Sequence, residues 1–218
     1  MRRIFHLTIV CAGLLAGRTC MAEIVDRIAV SVGNRVITQT DLDREIRITA
    51  LLNGEKPDFS PANKRRTIER MVDQWLVRSE LEASRYLLPT GAEAAAELQQ
   101  EKNRFADDAA YRRALAGYGV TEQDLKDRLL WQLTLIRFID LRFRPGIQIG
   151  DEEIRKYFDE HVKAAATLAH PVKTPALADY RDSIERMLIS QAADEQVEQW
   201  LKEARRRTRI IYHEEVLQ

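Results

Sequence analysis

No cysteine lies beyond Cys20. With Cys11 as the only other one, and both in a segment that reads as an export signal, the processed chain would hold no disulfide and no thiol nucleophile. Glycine and proline are scarce, nine and six in 218 residues, and beyond that segment they fall at boundaries between long polar-apolar stretches. The sequence has no Gly-rich phosphate loop and no G-x-S-x-G elbow. His161, His170 and His213 are far apart, and none has a second ligand at i+3 or i+4, the spacing a helical metal site uses. Sequence therefore assigns no catalytic residue, no cofactor site and no metal site. The acidic clusters Asp107-Asp108, Asp151-Glu152-Glu153 and Glu214-Glu215 read as helix starts and a solvated tail.

A net charge is also missing: 34 basic residues face 34 acidic ones. Met1-Arg2-Arg3, the apolar run Ile4 to Gly17 and the small residues around Cys20-Met21-Ala22 predict a secretory signal cut after Ala22. The run is short for a membrane span, and Arg18 ends it. A lipidated Cys20 is disfavoured because Gly17-Arg18-Thr19 is not a small apolar lead-in. Without Arg2, Arg3 and Arg18 the 34 basic residues become 31 against 34 acidic. That balance gives no general drive toward nucleic acid or anionic lipid. The expected location is the periplasm, with no stable membrane insertion once the signal is gone.

What is present is a hairpin followed by helices. Ile28, Val30 and Val32 alternate with Ala29 and Ser31, Gly33-Asn34 supplies a two-residue turn, and Arg35 to Thr38 can return. Thr208 to His213 is the other strand-like run, so one small sheet built from both ends is expected. Between them lie six helical segments: 40–53, 61–88, 92–116, 121–144, 151 to about 168, and 176–207. Thr40 is the expected cap of the first and Ser60-Pro61 of the second, and Asp107-Asp108 can split the third. The fourth is apolar nearly all round from Leu129 to Phe143, which predicts a helix wrapped at the centre of the core. The apolar stripes, with Trp75, Trp131 and Trp200, read as core. The fold class is thus mainly α, with a small sheet. A hairpin (23–39), a helical core (40–144), further helices (151–207) with a linker near 166–175, and a terminal strand (208–216) follow the signal (1–22). Two basic runs stand out. Arg205-Arg206-Arg207 suits a helix C-terminus, whereas Lys64-Arg65-Arg66 opposes the dipole of a first turn, with Glu69 and Asp73 placed to offset it.

The stretch Asp26-Arg27-Ile28-Ala29-Val30-Ser31-Val32-Gly33-Asn34-Arg35-Val36-Ile37-Thr38-Gln39-Thr40-Asp41-Leu42 resembles the opening of mature SurA-type periplasmic chaperones. The likeness continues more weakly through the helix order to Glu152–Phe158 and the last helix and strand. It implies an ATP-independent chaperone for unfolded or nascent envelope and outer-membrane proteins, working by binding through a concave apolar surface. It also implies a missing part. Related foldases insert a parvulin prolyl isomerase domain where this protein has only Val162 to Pro175, 14 residues against the roughly 50 a domain needs. Isomerase activity is therefore not expected. A foldase with an unrecognised site, or an envelope scaffold subunit, stays open as an alternative, and client-binding residues and oligomeric state are left unassigned.

Overall fold

Thr38 closes a strand and opens a helix. Its backbone is extended (φ −92°, ψ 170°), its hydroxyl accepts the Asp41 amide at 3.2 Å, and the Asp41 carboxylate accepts the Thr38 amide at 3.1 Å. This reciprocal capping box starts helix α1 (Gln39–Asn53) ahead of the expected cap Thr40, whose amide donates instead to Asp26 Oδ1 at 3.2 Å. The computed structural model describes residues 26–164 and 176–218. The expected export signal with its expected Ala22 junction, His170, and the expected linker near 166–175 lie outside them.

Strands β1 (Ile28–Val32), β2 (Arg35–Thr38) and β3 (Ile210–Tyr212) form one antiparallel sheet in the order β2-β1-β3. Val30 faces Tyr212 and Val32 faces Ile210, and His213 N donates to Ala29 O at 3.0 Å. The two ends of the described polypeptide therefore meet, as the sequence predicts. Three details differ. The β1–β2 register slips between Ile28 and Val30, so Ala29 is buried and Ile28 is 39% exposed, breaking the expected alternation. Only Gly33 of the turn has positive φ, at +61°. Glu214–Leu217, expected as the end of the terminal strand and a solvated tail, forms a short helix because Val216 and Leu217 bury their side chains beside Val30 and Ile68.

Helix α2 (Pro61–Ala83) is capped by the Ser60 hydroxyl and stops before the expected Leu88, because Ser84 takes extended geometry. The third segment is two helices, α3 (Gly91–Lys102) and α4 (Asp108–Tyr118), with Asp107 Oδ1 accepting the Ala110 amide at 2.6 Å. Helix α5 (Glu122–Arg142) begins at a Thr121–Asp124 capping box. It is not wrapped all round: Ile136 is 57% exposed, and Leu141 is exposed too. One end contributes Leu125 and Leu129 to a cluster with Ile48, Leu98 and Tyr111; the other contributes Trp131 and Phe138 to a cluster with Val77, Leu81 and Phe143. The helix is a spine between two packed groups, so its outer side needs no cover. Phe138 meets Tyr86, Phe143 and Trp200 edge-on at 5.6–5.7 Å.

Helix α6 (Asp151–Tyr157) runs on as a π-helical turn, Phe158–Lys163. Helix α7 (Leu177–Arg207) spans 31 residues: Ile184 packs on Ile154 and Phe158, and Trp200, Leu201 and Ala204 reach the sheet cluster. The final short helix, Glu214–Leu217, is α8.

Candidate binding cleft

Helices α1, α2 and α5 do not close on one another beneath β2. They leave a cleft of about 300 Å³ with Ile37, Ile48, Met71 and Trp75 among its apolar lining. The same lining carries four carboxylates, Asp41, Glu45, Asp124 and Asp127, and three guanidiniums, Arg44, Arg78 and Arg128.

Each carboxylate has a donor. Asp41 accepts the Thr38 amide and hydroxyl and lies 3.4 Å from Arg44. Glu45, only 8% exposed, is paired with Arg128 at 3.2 Å and Arg70 at 3.7 Å. Asp124 accepts the Thr121 hydroxyl at 2.6 Å and stands 3.5 Å from Arg44. Burial raises the pKa of Asp124, but the Thr121 bonds and Arg44 together hold it below the ordinary aspartate value. Asp127 accepts Gln123 Nε2 at 2.7 Å.

Arg78 and Trp131 form the aromatic-cationic wall of the cleft. Arg78 follows Trp75 by nearly one helical turn, and its guanidinium stacks 4.3 Å from the Trp131 ring centre and 5.7 Å from that of Trp75. No described residue accepts a hydrogen bond from it; Glu45, Asp127 and Glu82 act only as nearby charges. Arg78 is exposed as a whole; partial desolvation of its guanidinium against the rings lowers its pKa, and those carboxylates oppose that shift. The indole N–H of buried Trp131 likewise has no partner among them. A second hollow, about 520 Å³ between α3 and α5, is lined by Gln99, Lys102, Glu122 and Lys126, and Lys102 Nζ meets Glu122 at 2.8 Å.

Sequence reasoning misses this cleft. Its reading of Trp75 and Trp131 as core holds, since Trp131 is 6% exposed in a core cluster and Trp75 packs against another, but it gives Arg78 and Glu45 no role. The available signal is Trp75-x-x-Arg78, which puts an aromatic and a cation on one helix face. The residues that stand out in the sequence lie elsewhere. His161 stacks on Tyr157 at 4.3 Å, and His213 Nδ1 is 3.5 Å from Glu215. Arg205 is more than a C-terminal cation: it donates to Asp73 at 2.6 Å and Glu69 at 2.7 Å, so those acids serve α7 rather than Lys64–Arg66. Lys64 instead donates to the carbonyls of Val216 and Gln218 at 3.2 and 2.9 Å, and Arg65 pairs with Glu214, so the basic run holds α8.

The resemblance implies a large concave apolar surface, whereas the hollows among the described residues are smaller and part polar. The cleft is small and half polar, and exposed apolar side chains occur on the sheet, Val36 at 47% and Ile211 at 40%, and just after α2, Leu87 at 80%. Among the described residues no helix is long and apolar enough to cross a membrane. Comparison with known proteins finds no family model that matches this sequence and no curated protein that matches it.

Proposed function

We propose that this protein is a periplasmic, ATP-independent chaperone that binds unfolded envelope or outer-membrane proteins and performs no chemistry on them. The observation that carries the reading is the sheet. The motif Asp26–Leu42, on which the resemblance rests, supplies β1, β2 and the start of α1, and β3, from near the other end, completes that sheet, the arrangement the strand-like runs predict.

The surface also supports binding over catalysis, in a form different from an apolar cradle. A cleft of about 300 Å³ is at the small end for ligand sites and admits one or two side chains at a time. Its tryptophan walls, with the exposed Val36 and Ile211 on the sheet, offer short apolar contacts of the kind that hold an unfolded segment weakly and release it. Micromolar affinity, about −8 kcal/mol, is the expected range.

The test is suppression of aggregation of a denatured outer-membrane β-barrel protein on dilution. Suppression at a stoichiometric ratio is expected, and none at that ratio overturns the proposal. A proline-peptide isomerisation assay run beside it should show only the uncatalysed rate; acceleration would favour the foldase alternative.

A further inference from the structure

Strand β3 lies at an edge of the sheet, and its bonds to β1 fix which of its backbone groups face outward. Gly33 N donates to Arg209 O at 2.9 Å and His213 N to Ala29 O at 3.0 Å, so Arg209, Ile211 and His213 turn their backbone toward β1. Ile210 and Tyr212, between them, turn their amides and carbonyls to the free edge. That edge carries none of the usual guards, since Ile210-Ile211-Tyr212 has no proline, no lysine and no bulge. The opposite edge offers less: Val32 and Arg35 close the turn, so of Arg35–Ile37 only Val36 turns its backbone outward, and Asp41 already accepts the Thr38 amide. Charge is divided about β3. Arg207 and Arg209 precede it, exposed and with no acidic partner among the described residues, and Glu214 and Glu215 follow it, also exposed. Glu214 is engaged by Arg65, which leaves Glu215, 3.5 Å from His213, as the freer acid. An antiparallel second copy reverses this order and so lays the basic flank of each chain on the acidic flank of the other, a match that an unrelated strand does not have built in.

We infer that β3 is a self-pairing edge: two copies of this chain join antiparallel through Ile210–Tyr212, centred on Ile211, in a continuous sheet of order β2-β1-β3-β3-β1-β2. This register sets Ile210 of each copy opposite Tyr212 of the other, so every outward amide and carbonyl of the strand is bonded. It brings the two Ile211 side chains, each 40% exposed, together across the two-fold axis as a non-hydrogen-bonded pair, the closer kind. It also runs Arg207 and Arg209 of each copy past His213 and Glu215 of the other. The edge is only three residues long, so the association is weak and concentration-dependent. Self-pairing stands apart from the chaperone reading, since it needs no client.

Sedimentation of the protein from about 1 µM to about 1 mM tests this. The mass should rise from monomer toward dimer and no further, because pairing uses up the edge. Arg209→Glu and Glu215→Lys should each weaken dimerisation at least about tenfold, since like charges then face one another. An equimolar mixture of the two variants should recover it, because each then meets an opposite charge; a merely structural defect would not be reversed by mixing. A second measurement places the contact. With Cys11 and Cys20 replaced by Ser, Ile211→Cys should form a disulfide-linked dimer under mild oxidation at least about tenfold faster than Val36→Cys, whose side chain is just as exposed but lies on the other edge. A monomer at every concentration overturns the inference and leaves the edge to a strand of another protein. Growth past the dimer, a mixture no tighter than either variant alone, or equal cross-linking at the two cysteines also overturns it. Sedimentation of the unaltered protein decides even where a variant misfolds.

Discussion

Arg205 Nε donates to Asp73 Oδ1 at 2.6 Å, across from the last turn of α7 to the middle of α2. The same guanidinium reaches Glu69 Oε2 at 2.7 Å and the Glu69 carbonyl at 2.9 Å, and Tyr212 on β3 donates to that Glu69 carboxylate at 2.9 Å. One side chain thus fastens α7, α2 and β3 over the sheet cluster. Burial works against the Arg205 charge, but its bonds to Asp73 and Glu69 outweigh that and raise its pKa. Arg205→Ala should cost about 2–3 kcal/mol, the range for charge-assisted bonds in a part-buried network. Urea denaturation of Arg205→Ala, Asp73→Ala and the double variant should show non-additivity. Simple additivity would mean the contact is incidental.

Helix α8 offers the second prediction. Leu217 is 3% exposed, while Lys64 and Arg65 hold the helix from outside. Leu217→Ala should therefore destabilise by about 2–4 kcal/mol, as for other buried leucines. Lys64→Ala should cost under about 1 kcal/mol and less in high salt, because its partners are near the surface. A larger loss from Lys64→Ala than from Leu217→Ala would reverse this order of causes.

Much of this was legible in the sequence and some was not, for identifiable reasons. Caps at Ser60 and Asp107 were readable because a short polar side chain ahead of a helix competes locally for the first amides. The sheet was readable from β-branched runs at both ends. The slip at Ile28 and the helix at Glu214–Leu217 were not, since each depends on which distant side chain fills the space beside Val30. The basic run at Lys64 was a local inconsistency with a tertiary answer, the carbonyls of Val216 and Gln218. The cleft gave no local sign, because its lining is a property of three helices together.

Acid should weaken the fold in a predictable window. Asp26 is held below its ordinary pKa first by the Thr38 hydroxyl, Glu93 by the Thr90 amide and Asp58 by the Ser60 amide. Asp124 is also lowered, its Thr121 bonds and Arg44 outweighing burial. In each the folded-state pKa lies below the unfolded one. Their stabilisation is therefore complete above the unfolded values, about 3.9 for Asp and about 4.3 for Glu, and is lost as pH falls through the folded values. Thermal midpoints should be flat from about pH 7 to 5 and fall below about pH 4. Asp124→Asn should start lower at neutral pH and fall less; a parallel curve would remove Asp124 from the account.

Gly33 isolates a backbone effect. A methyl group built there would meet only Thr208 Cγ2, at 3.8 Å, which is ordinary contact, so space is not the obstacle. Its φ of +61° is, because an L side chain there crowds the backbone. Gly33→Ala should cost about 1–2 kcal/mol and Gly33→Asn less, since asparagine tolerates this region. Equal losses would point to a packing cause instead.

The outer face of the sheet separates binding from stability. Val36, Ser31 and Ile211 stand opposite one another across the three strands, so Val36 and Ile211 share one exposed face, at 47% and 40%. The other face, through Val30 and Ile37, packs on α1 and α2. Val36→Thr with Ile211→Thr keeps β-branching and strand preference while adding two hydroxyls that water can satisfy. The folded state should change by no more than about 1 kcal/mol, as for surface substitutions. If the sheet face helps to hold an unfolded polypeptide, the ratio needed for half-maximal suppression of aggregation should rise at least twofold. An unchanged ratio with unchanged stability would confine client contact to the α1–α2–α5 cleft, and the exposed pair would then be only the uncovered side of a three-stranded sheet.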